Sequence, residues 1–188
     1  MLRTGGTMGR LLNVIDVEAT CWDGVPPPGQ VSEIIEIGVC VVDLDAGERT
    51  GRDRILVRPE RSAVSAFCTE LTGITPAEAA GGVTFAEACR LLIERHRSDS
   101  RPWASWGDYD RKQFSRQCEG SRRYPFGSVH HNAKIVFAEA LGRRRQGMAG
   151  ALESAGLPLE GRHHNGADDA WNIGALVLYL AERGRWPG

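Results

Sequence analysis

The chain has 188 residues, of which 41% are hydrophobic and 25% are charged, and its formal net charge is −1. These values match one ordinary globular domain, and they exclude wholesale disorder and a strongly basic coat. Only Lys112 and Lys134 are lysines, so 21 of the 23 basic residues are arginines. Arginine binds phosphate in a two-pronged geometry, but a GC-rich genome also encodes it often, and both explanations stay open.

Three apolar segments rich in β-branched residues open the chain and predict strands over residues 11–17, 34–43 and 52–58. The proline-rich stretch over residues 24–29 is interpreted as a loop inside the domain. Residues 45–47 carry the turn signal between the second and third strands. Strands joined by such short links favour an antiparallel meander.

Helical patterns fill most of the remaining chain. Thr75 and Pro76 pair an N-cap with proline at the first helical position, and Thr84 with Glu87 matches a capping box. The short apolar run over residues 103–106 predicts a further strand. Besides the helix that begins at Pro76, helices are predicted over residues 65–71, 85–96, 110–119, 134–141, 148–155 and 168–183. This order of elements predicts an α/β fold with a mixed sheet flanked by helices.

We expect residues 1–10 to form a tail and residues 11–185 to form a single domain. The apolar run over residues 11–15 is too short for a signal peptide, and no run approaches the roughly 20 residues that span a bilayer. We therefore expect a cytoplasmic protein without a membrane partner. The five cysteines are odd in number and widely spaced, which favours small buried side chains over a disulfide framework or a zinc site.

Two carboxylates, Asp16 and Glu18, stand at the end of the first predicted strand. Side chains two residues apart on an extended chain point the same way, so both acids share one face. Carboxylates crowded at a buried strand end repel each other and lose solvation unless a cation compensates, and Mg²⁺ or Mn²⁺ suits such oxygen ligands. Alone, the pair is better explained as two unrelated acids at a solvated strand end, because such pairs are common.

Further acids follow the later elements. Asp110, in the segment Gly107–Asp110, is interpreted either as the N-cap of a helix or as a third metal ligand. Asp169 begins the last helix, where the helix dipole favours an acid, and His164 precedes it in a position that suits a general base. Together these acids and the histidine match a two-metal phosphodiester hydrolase, which needs acids from several elements at one point.

Several motifs occur in a fixed order between Asn13 and Leu176, namely IDVEATCW, SEIIEIG, VRPE, FCTELTGIT, GDYD and HHNGADDAWNIG. Through them the chain resembles the DEDDh 3′→5′ exonucleases, which share a ribonuclease H-like fold. It is most similar to the Eri-type branch, which trims histone messenger RNA tails, small RNAs and ribosomal RNA ends, and to bacterial KapD-like proteins. The resemblance implies a three-strand antiparallel meander, extended by further strands, within the mixed sheet.

The resemblance also implies a mechanism and its residues. Two divalent cations, Mg²⁺ or Mn²⁺, would be held by Asp16, Glu18, Asp110 and Asp169. His164 matches the general base of the family, which leaves Asp108 and Asp168 as bystanders. The implied reaction removes nucleoside 5′-monophosphates from the 3′ end of RNA, with single-stranded DNA as a further substrate.

The residues expected to contact substrate follow from the same match. They are Tyr109, Phe67, Leu71, Ala19 and Thr20. Tyr109 stands where the branch often has tryptophan, and its ring can stack on a terminal base. Core packing is an equally good explanation for Phe67 and Leu71, and we expect Trp106 in the core.

Charge is unevenly distributed along the chain. Residues 111–145 contain nine basic and two acidic residues, a local charge of +7, which leaves −8 for the rest. Binding to phosphates needs such local positive charge, so we expect a nucleic-acid track that includes Arg143, Arg144 and Arg145, with a solvated arginine-rich surface as the alternative. The expected partners are single-stranded or 3′-overhang RNA or DNA.

Two other functions remain compatible with the sequence. A DNA-directed proofreading or repair exonuclease would use the same set of acids. A regulatory protein would use the same fold to bind a partner, with cleavage incidental, although the full set Asp16, Glu18, Asp110, His164 and Asp169 argues against an inactive relative of the enzymes.

Overall fold

A computed structural model describes residues 10–120 and 123–187, so all but one residue of the predicted tail lies outside the described part. Within these ranges the chain forms five strands and seven helices. The strands are β1 Leu11–Ala19, β2 Ile34–Asp43, β3 Glu48–Leu56, β4 Trp103–Ser105 and β5 His130–Asn132. The helices are α1 Ala66–Thr72, α2 Pro76–Ala80, α3 Phe85–His96, α4 Tyr109–Gln117, α5 Ala133–Leu141, α6 Met148–Ala155 and α7 Gly166–Ala181.

The five strands form one mixed sheet in the order β3-β2-β1-β4-β5. The strands β1, β2 and β3 pair antiparallel, which confirms the predicted meander. The strands β4 and β5 continue the sheet parallel to β1. The fold is therefore the mixed α/β sheet flanked by helices that the sequence predicts, with β1 at its centre.

Alternation along β1 divides the core between the two faces of the sheet. Ile15 and Val17 pack on one face with Phe85 of α3. Leu12 and Val14 pack on the other face with α5, α6 and α7. Because side chains alternate along a strand, Asp16 and Glu18 share the second face and lie on the side of α7.

The start of α7 lies directly against β2. A Cβ at Gly38 would overlap the backbone carbonyl of Gly166, so only glycine permits this approach. Glu36, two residues earlier on the same strand, is fully buried and accepts a hydrogen bond from the Ala167 N–H at 3.1 Å. These contacts fix the first turn of α7 beside the end of β1.

Most predicted elements are present, with differences at their ends. The bounds of β2, α3 and α6 match the prediction, whereas β3 begins four residues earlier than predicted. The short strand β5 was not predicted. Asp108, not Asp110, is the N-cap of α4, and its side chain makes no capping hydrogen bond.

Two further observations concern the chain as a whole. All five cysteines are free, and all except Cys21 are buried. In the described part of the chain, no helix has both the length and the apolar character needed to cross a membrane.

Candidate active site

Asp16 and Glu18 reach the site from the last residues of β1. Glu18 is only 8% exposed. Burial raises the pKa of Glu18 to about 8, and the nearby charge of Asp169 contributes. Burial, together with repulsion from Asp110 and Glu18, also raises the pKa of Asp16 well above its usual range. Both shifts have the direction expected for carboxylates crowded together away from water.

Asp110 reaches the same place from the first turn of α4. It is buried, and its Oδ1 accepts a hydrogen bond from the Val17 N–H at 2.9 Å. That bond joins the start of α4 to β1 between Asp16 and Glu18. Burial raises the pKa of Asp110 to about 6, although the Val17 hydrogen bond opposes the shift.

Asp169 completes the group from the first turn of α7. Asn165 caps this helix, since its side chain accepts a hydrogen bond from the Asp168 N–H. The Asp169 carboxylate lies 2.9 Å from His163 Nδ1 and accepts the His164 N–H at 3.0 Å. Burial raises the pKa of Asp169 in spite of these contacts. Asp168 points elsewhere and pairs with Arg52.

The four acids and both histidines line one cavity of about 370 Å³. Oxygens of Asp16, Glu18 and Asp169 lie within 4.8 Å of one another, and Asp110 stands beside them. Carboxylates that repel each other in this way need a positive charge among them, and oxygen donors suit Mg²⁺ and Mn²⁺. The residues present therefore fit divalent cations.

The adjacent His163 and His164 stack on each other but differ in backbone conformation and in their contacts. Their rings stack with centroids 4.1 Å apart, and His164 has a left-handed backbone with φ of 63°. Burial and the neighbouring His163 lower the pKa of His164, so its ring is neutral at neutral pH and can accept a proton. His163 has no predicted role, yet it is the His163 side chain that contacts the Asp169 carboxylate.

The predicted substrate-contacting residues divide into two groups. Ala19, Leu71 and Tyr109 line the cavity, and Tyr109 is 56% exposed. Phe67 is exposed on α1 and is not part of the cavity wall. Thr20 is fully buried, and its hydroxyl bonds Val31 O and the Glu33 N–H, so it does not face the cavity.

Some residues of the cavity wall could not be predicted from the sequence. Trp106, expected in the core, lines the cavity together with Gly147 and Met148. The Trp106 indole N–H donates to Gln146 O at 3.1 Å, which anchors the loop between α5 and α6 beside the acids. No local sequence signal connects these positions, because they meet only through the packing of α6 on the sheet.

The basic segment over residues 111–145 is not one continuous surface. Arg111 pairs with Asp108, and Arg123 pairs with Asp99. Arg144 and Arg145 are exposed on the α5–α6 loop, close in sequence to the cavity wall, and neither has an ion-pair partner among the described residues. Arg144 and Arg145 therefore place positive charge without a described carboxylate partner on the loop that leads to the cavity wall.

Comparison with known proteins adds an independent line of evidence. The model of a family described as Exonuclease (RNase_T) matches residues 14–177. The 3′-5′ exonuclease Snipper of Drosophila melanogaster is 29% identical over 195 residues, which cover 90% of this chain and 69% of Snipper. The human 3′-5′ exoribonuclease 1 is 31% identical over 183 residues, 91% of this chain and 52% of that protein. The chain thus spans about half the length of this second relative.

The fold of the chain is also similar to that of a solved nuclease structure. It is the nuclease domain of 3′hExo, a DEDDh family member, bound to rAMP. It superposes with a TM-score of 0.84 at 29% identity, covering 95% of this chain and 94% of that domain.

Proposed function

The chain belongs to the exonuclease family, and we propose that it removes nucleotides from the 3′ end of RNA as nucleoside 5′-monophosphates. The observation that carries this proposal is the convergence of Asp16, Glu18, Asp110 and Asp169 on one cavity from three separate elements. The relative named as an exoribonuclease favours RNA over the DNA-directed alternative.

Two divalent cations, Mg²⁺ or Mn²⁺, are the proposed cofactors, with the four carboxylates as ligands. Their support is the burial and crowding of these acids, which together raise the pKa of Glu18 to about 8. When bound, such cations lower the pKa of the attacking water and stabilise the charge that develops on the leaving 3′ oxygen.

The histidines handle the proton in the proposed reaction. The neutral ring of His164 lines the cavity and accepts the proton of the attacking water. His163 holds the Asp169 carboxylate through its Nδ1 at 2.9 Å and thereby orients one metal ligand. The backbone N–H of His164 bonds the same carboxylate, so the base and this ligand are fixed relative to each other.

The remaining wall of the cavity binds the 3′-terminal nucleotide. Leu71 and Trp106 supply apolar surface, and the exposed ring of Tyr109 stacks on the terminal base. The strand then leaves past Arg144 and Arg145, whose charges have no carboxylate partner in the described structure.

A direct test uses 3′-overhang RNA and a DNA oligonucleotide of the same sequence, with Mg²⁺ and with chelator. We expect stepwise shortening of the RNA only with metal, and at least a hundredfold lower rate in Asp16→Asn. Asp108→Asn is the matched control, because Asp108 lies two residues from Asp110 but pairs with Arg111. Absence of metal-dependent shortening, or equal loss in the control, contradicts the proposal.

A further inference from the structure

A second cavity, of about 450 Å³, lies away from the acids. We call it the arginine pocket and define it by Arg10, Arg97, Arg101, His131 and Trp186. It opens where β1, β4 and β5 begin, since Leu11, Pro102 and Val129 belong to its wall.

The cavity lined by Asp16, Glu18, Asp110 and Asp169 is called the acidic cavity. The arginine pocket and the acidic cavity lie at opposite ends of the strands. Leu11 and Leu12, at the start of β1, line the pocket, whereas Asp16 and Glu18 line the acidic cavity near the end of that strand. The seven steps from Leu11 to Glu18 span roughly 23 Å of extended chain. The pocket is therefore separate from the proposed catalytic site.

Two of its three arginines carry a charge that no carboxylate of the described residues neutralises. Arg10 donates twice to the Asp45 carboxylate at 2.9 Å. Arg97 and Arg101 have no acidic partner within the part of the chain that the structure describes. Both side chains line the same cavity, and burial, followed by repulsion from Arg97, lowers the pKa of Arg101. Paired guanidinium groups without a counterion suit a phosphate.

The backbone holds these two arginines together. Arg97 ends α3 in a left-handed conformation with φ of 50°, where glycine is the usual residue. The Arg97 carbonyl then accepts the N–H groups of Ser100 and Arg101 at 3.0 and 2.9 Å. This tight turn places both side chains on the wall of the same pocket.

The rest of the wall is apolar and aromatic. Leu12 and Pro102 provide apolar surface, and the rings of Trp186 and His131 lie 5.5 Å apart. Burial lowers the pKa of His131, so its ring is neutral at neutral pH and the pocket's charge comes from arginine. The Trp186 ring is partly buried, and cationic groups beside such an indole form the combination that holds the phosphate and the base of a nucleotide.

We propose that the arginine pocket binds a nucleotide of the RNA body, upstream of the 3′ end that enters the acidic cavity. The phosphate lies between Arg97 and Arg101, and the base packs against Trp186. This inference rests on the proposed function, since it assumes that RNA is the substrate. A nucleotide bound there gives the RNA a second contact with the protein. The pocket would therefore favour substrates long enough to reach from the acidic cavity to the start of β1.

The test replaces both arginines in the full chain, as Arg97→Gln with Arg101→Gln. For a long 3′-overhang RNA we expect KM to rise about tenfold with kcat unchanged, and the salt dependence of binding to weaken by about two charges. A trinucleotide cannot reach the pocket, so its kcat/KM stays the same. Arg90→Gln is the control, because Arg90 lies on the exposed side of α3 and pairs with Glu87 and Glu94.

Binding without catalysis separates this inference from the proposed function. Fluorescence anisotropy of the long RNA, in chelator, should show the same loss of affinity in the double variant even if no cleavage is observed. Unchanged KM and unchanged RNA affinity would overturn the inference. AMP is titrated into the parent protein and the double variant. If the double variant loses affinity for AMP while its RNA affinity is unchanged, the pocket binds a free mononucleotide, and the assignment to the RNA body is wrong.

Discussion

Two neighbouring aspartates show how burial separates residues that look alike in sequence. Asp110 is 4% exposed and accepts the Val17 N–H, whereas Asp108 lies at the surface and pairs with Arg111. Position on α4 decides the difference, because only Asp110 points toward β1. Residue types alone leave both interpretations of Asp110 open, and the family resemblance is what selects this residue as a metal ligand.

Glu18 leads to a prediction about stability in the metal-free protein. A carboxyl group with a higher pKa in the folded state opposes folding increasingly as pH rises, here from 4.5 to about 8. With chelator present, we expect the free energy of unfolding to fall over this range, and Glu18→Gln to reduce the fall by roughly 1–3 kcal/mol. Denaturant titrations of both proteins at pH 5, 6.5 and 8 measure how the free energy of unfolding changes with pH.

The control for this prediction is Glu182→Gln, since Glu182 is exposed and far along the chain from the acids. An equal pH dependence in the parent protein and in Glu18→Gln would mean that crowding at the site does not oppose folding.

His164 supports a second prediction at this scale. Its left-handed backbone suits asparagine, so His164→Asn removes the proposed base without strain. We expect kcat to fall by about 10²–10⁴-fold while KM and melting temperature change little. His163→Asn should lower the affinity for Mg²⁺ more than it lowers kcat, because His163 contacts Asp169. Single-turnover rates at saturating metal separate the two variants, and a rate retained in His164→Asn would exclude it as the base.

The helices and strands follow local signals where those signals are strong. Ser65, Thr75 and Thr84 each accept the hydrogen bond that a helix N-cap requires. The sequence predicts the helix starts after Thr75 and Thr84, and it places the start of α1 one residue early, at Ser65. The strand β5 has only three polar residues, His130–Asn132, and exists because β4 pairs with it. No periodicity marks such a strand, so the chain pattern could not predict it.

The contact between β2 and α7 leads to a prediction about how elements position the site. Gly38→Ala places a Cβ against the Gly166 carbonyl, so α7 must shift, and Asp169 with it. We expect a loss of about 1–3 kcal/mol in unfolding free energy, together with a loss of exonuclease activity and Mg²⁺ affinity. Chemical denaturation and metal titration measure both effects.

Gly51→Ala is the matched control on the neighbouring strand β3. A Cβ there meets only the Val41 side chain, at 3.3 Å. This variant should keep its activity and Mg²⁺ affinity. If Gly38→Ala lost stability but kept full activity, the packing of α7 on β2 would not determine where Asp169 lies.

Across the whole molecule, the site depends on contacts that no single segment encodes. The shared direction of Asp16 and Glu18 could be predicted from alternation along β1. Their meeting with Asp110 and Asp169 could be predicted only from the ordered motifs, because nothing local states that α4 and α7 converge there. Residues such as Trp106 line the cavity because distant segments pack together. Neither the alternation along β1 nor the ordered motifs could predict that position.

Charge gives the last prediction at this scale. The +7 segment contains arginines with internal partners, and Arg144 and Arg145, which have none among the described residues. Only the second kind can bind phosphate without breaking an existing ion pair. We therefore expect Arg144→Gln with Arg145→Gln to raise KM for RNA about five- to tenfold and to reduce the salt dependence by about two charges, with kcat unchanged.

Arg123→Gln serves as the control, because Arg123 belongs to the same basic segment but pairs with Asp99 at 3.0 Å. It removes one unit of charge and should leave KM within about twofold, since a paired surface arginine contributes little free energy to a new phosphate contact. Steady-state kinetics at several salt concentrations distinguish the variants. If KM rose by the same factor per charge removed in the double variant and in the control, RNA binding would depend on the net charge of the segment. The position of Arg144 and Arg145 on the α5–α6 loop would then have no special effect.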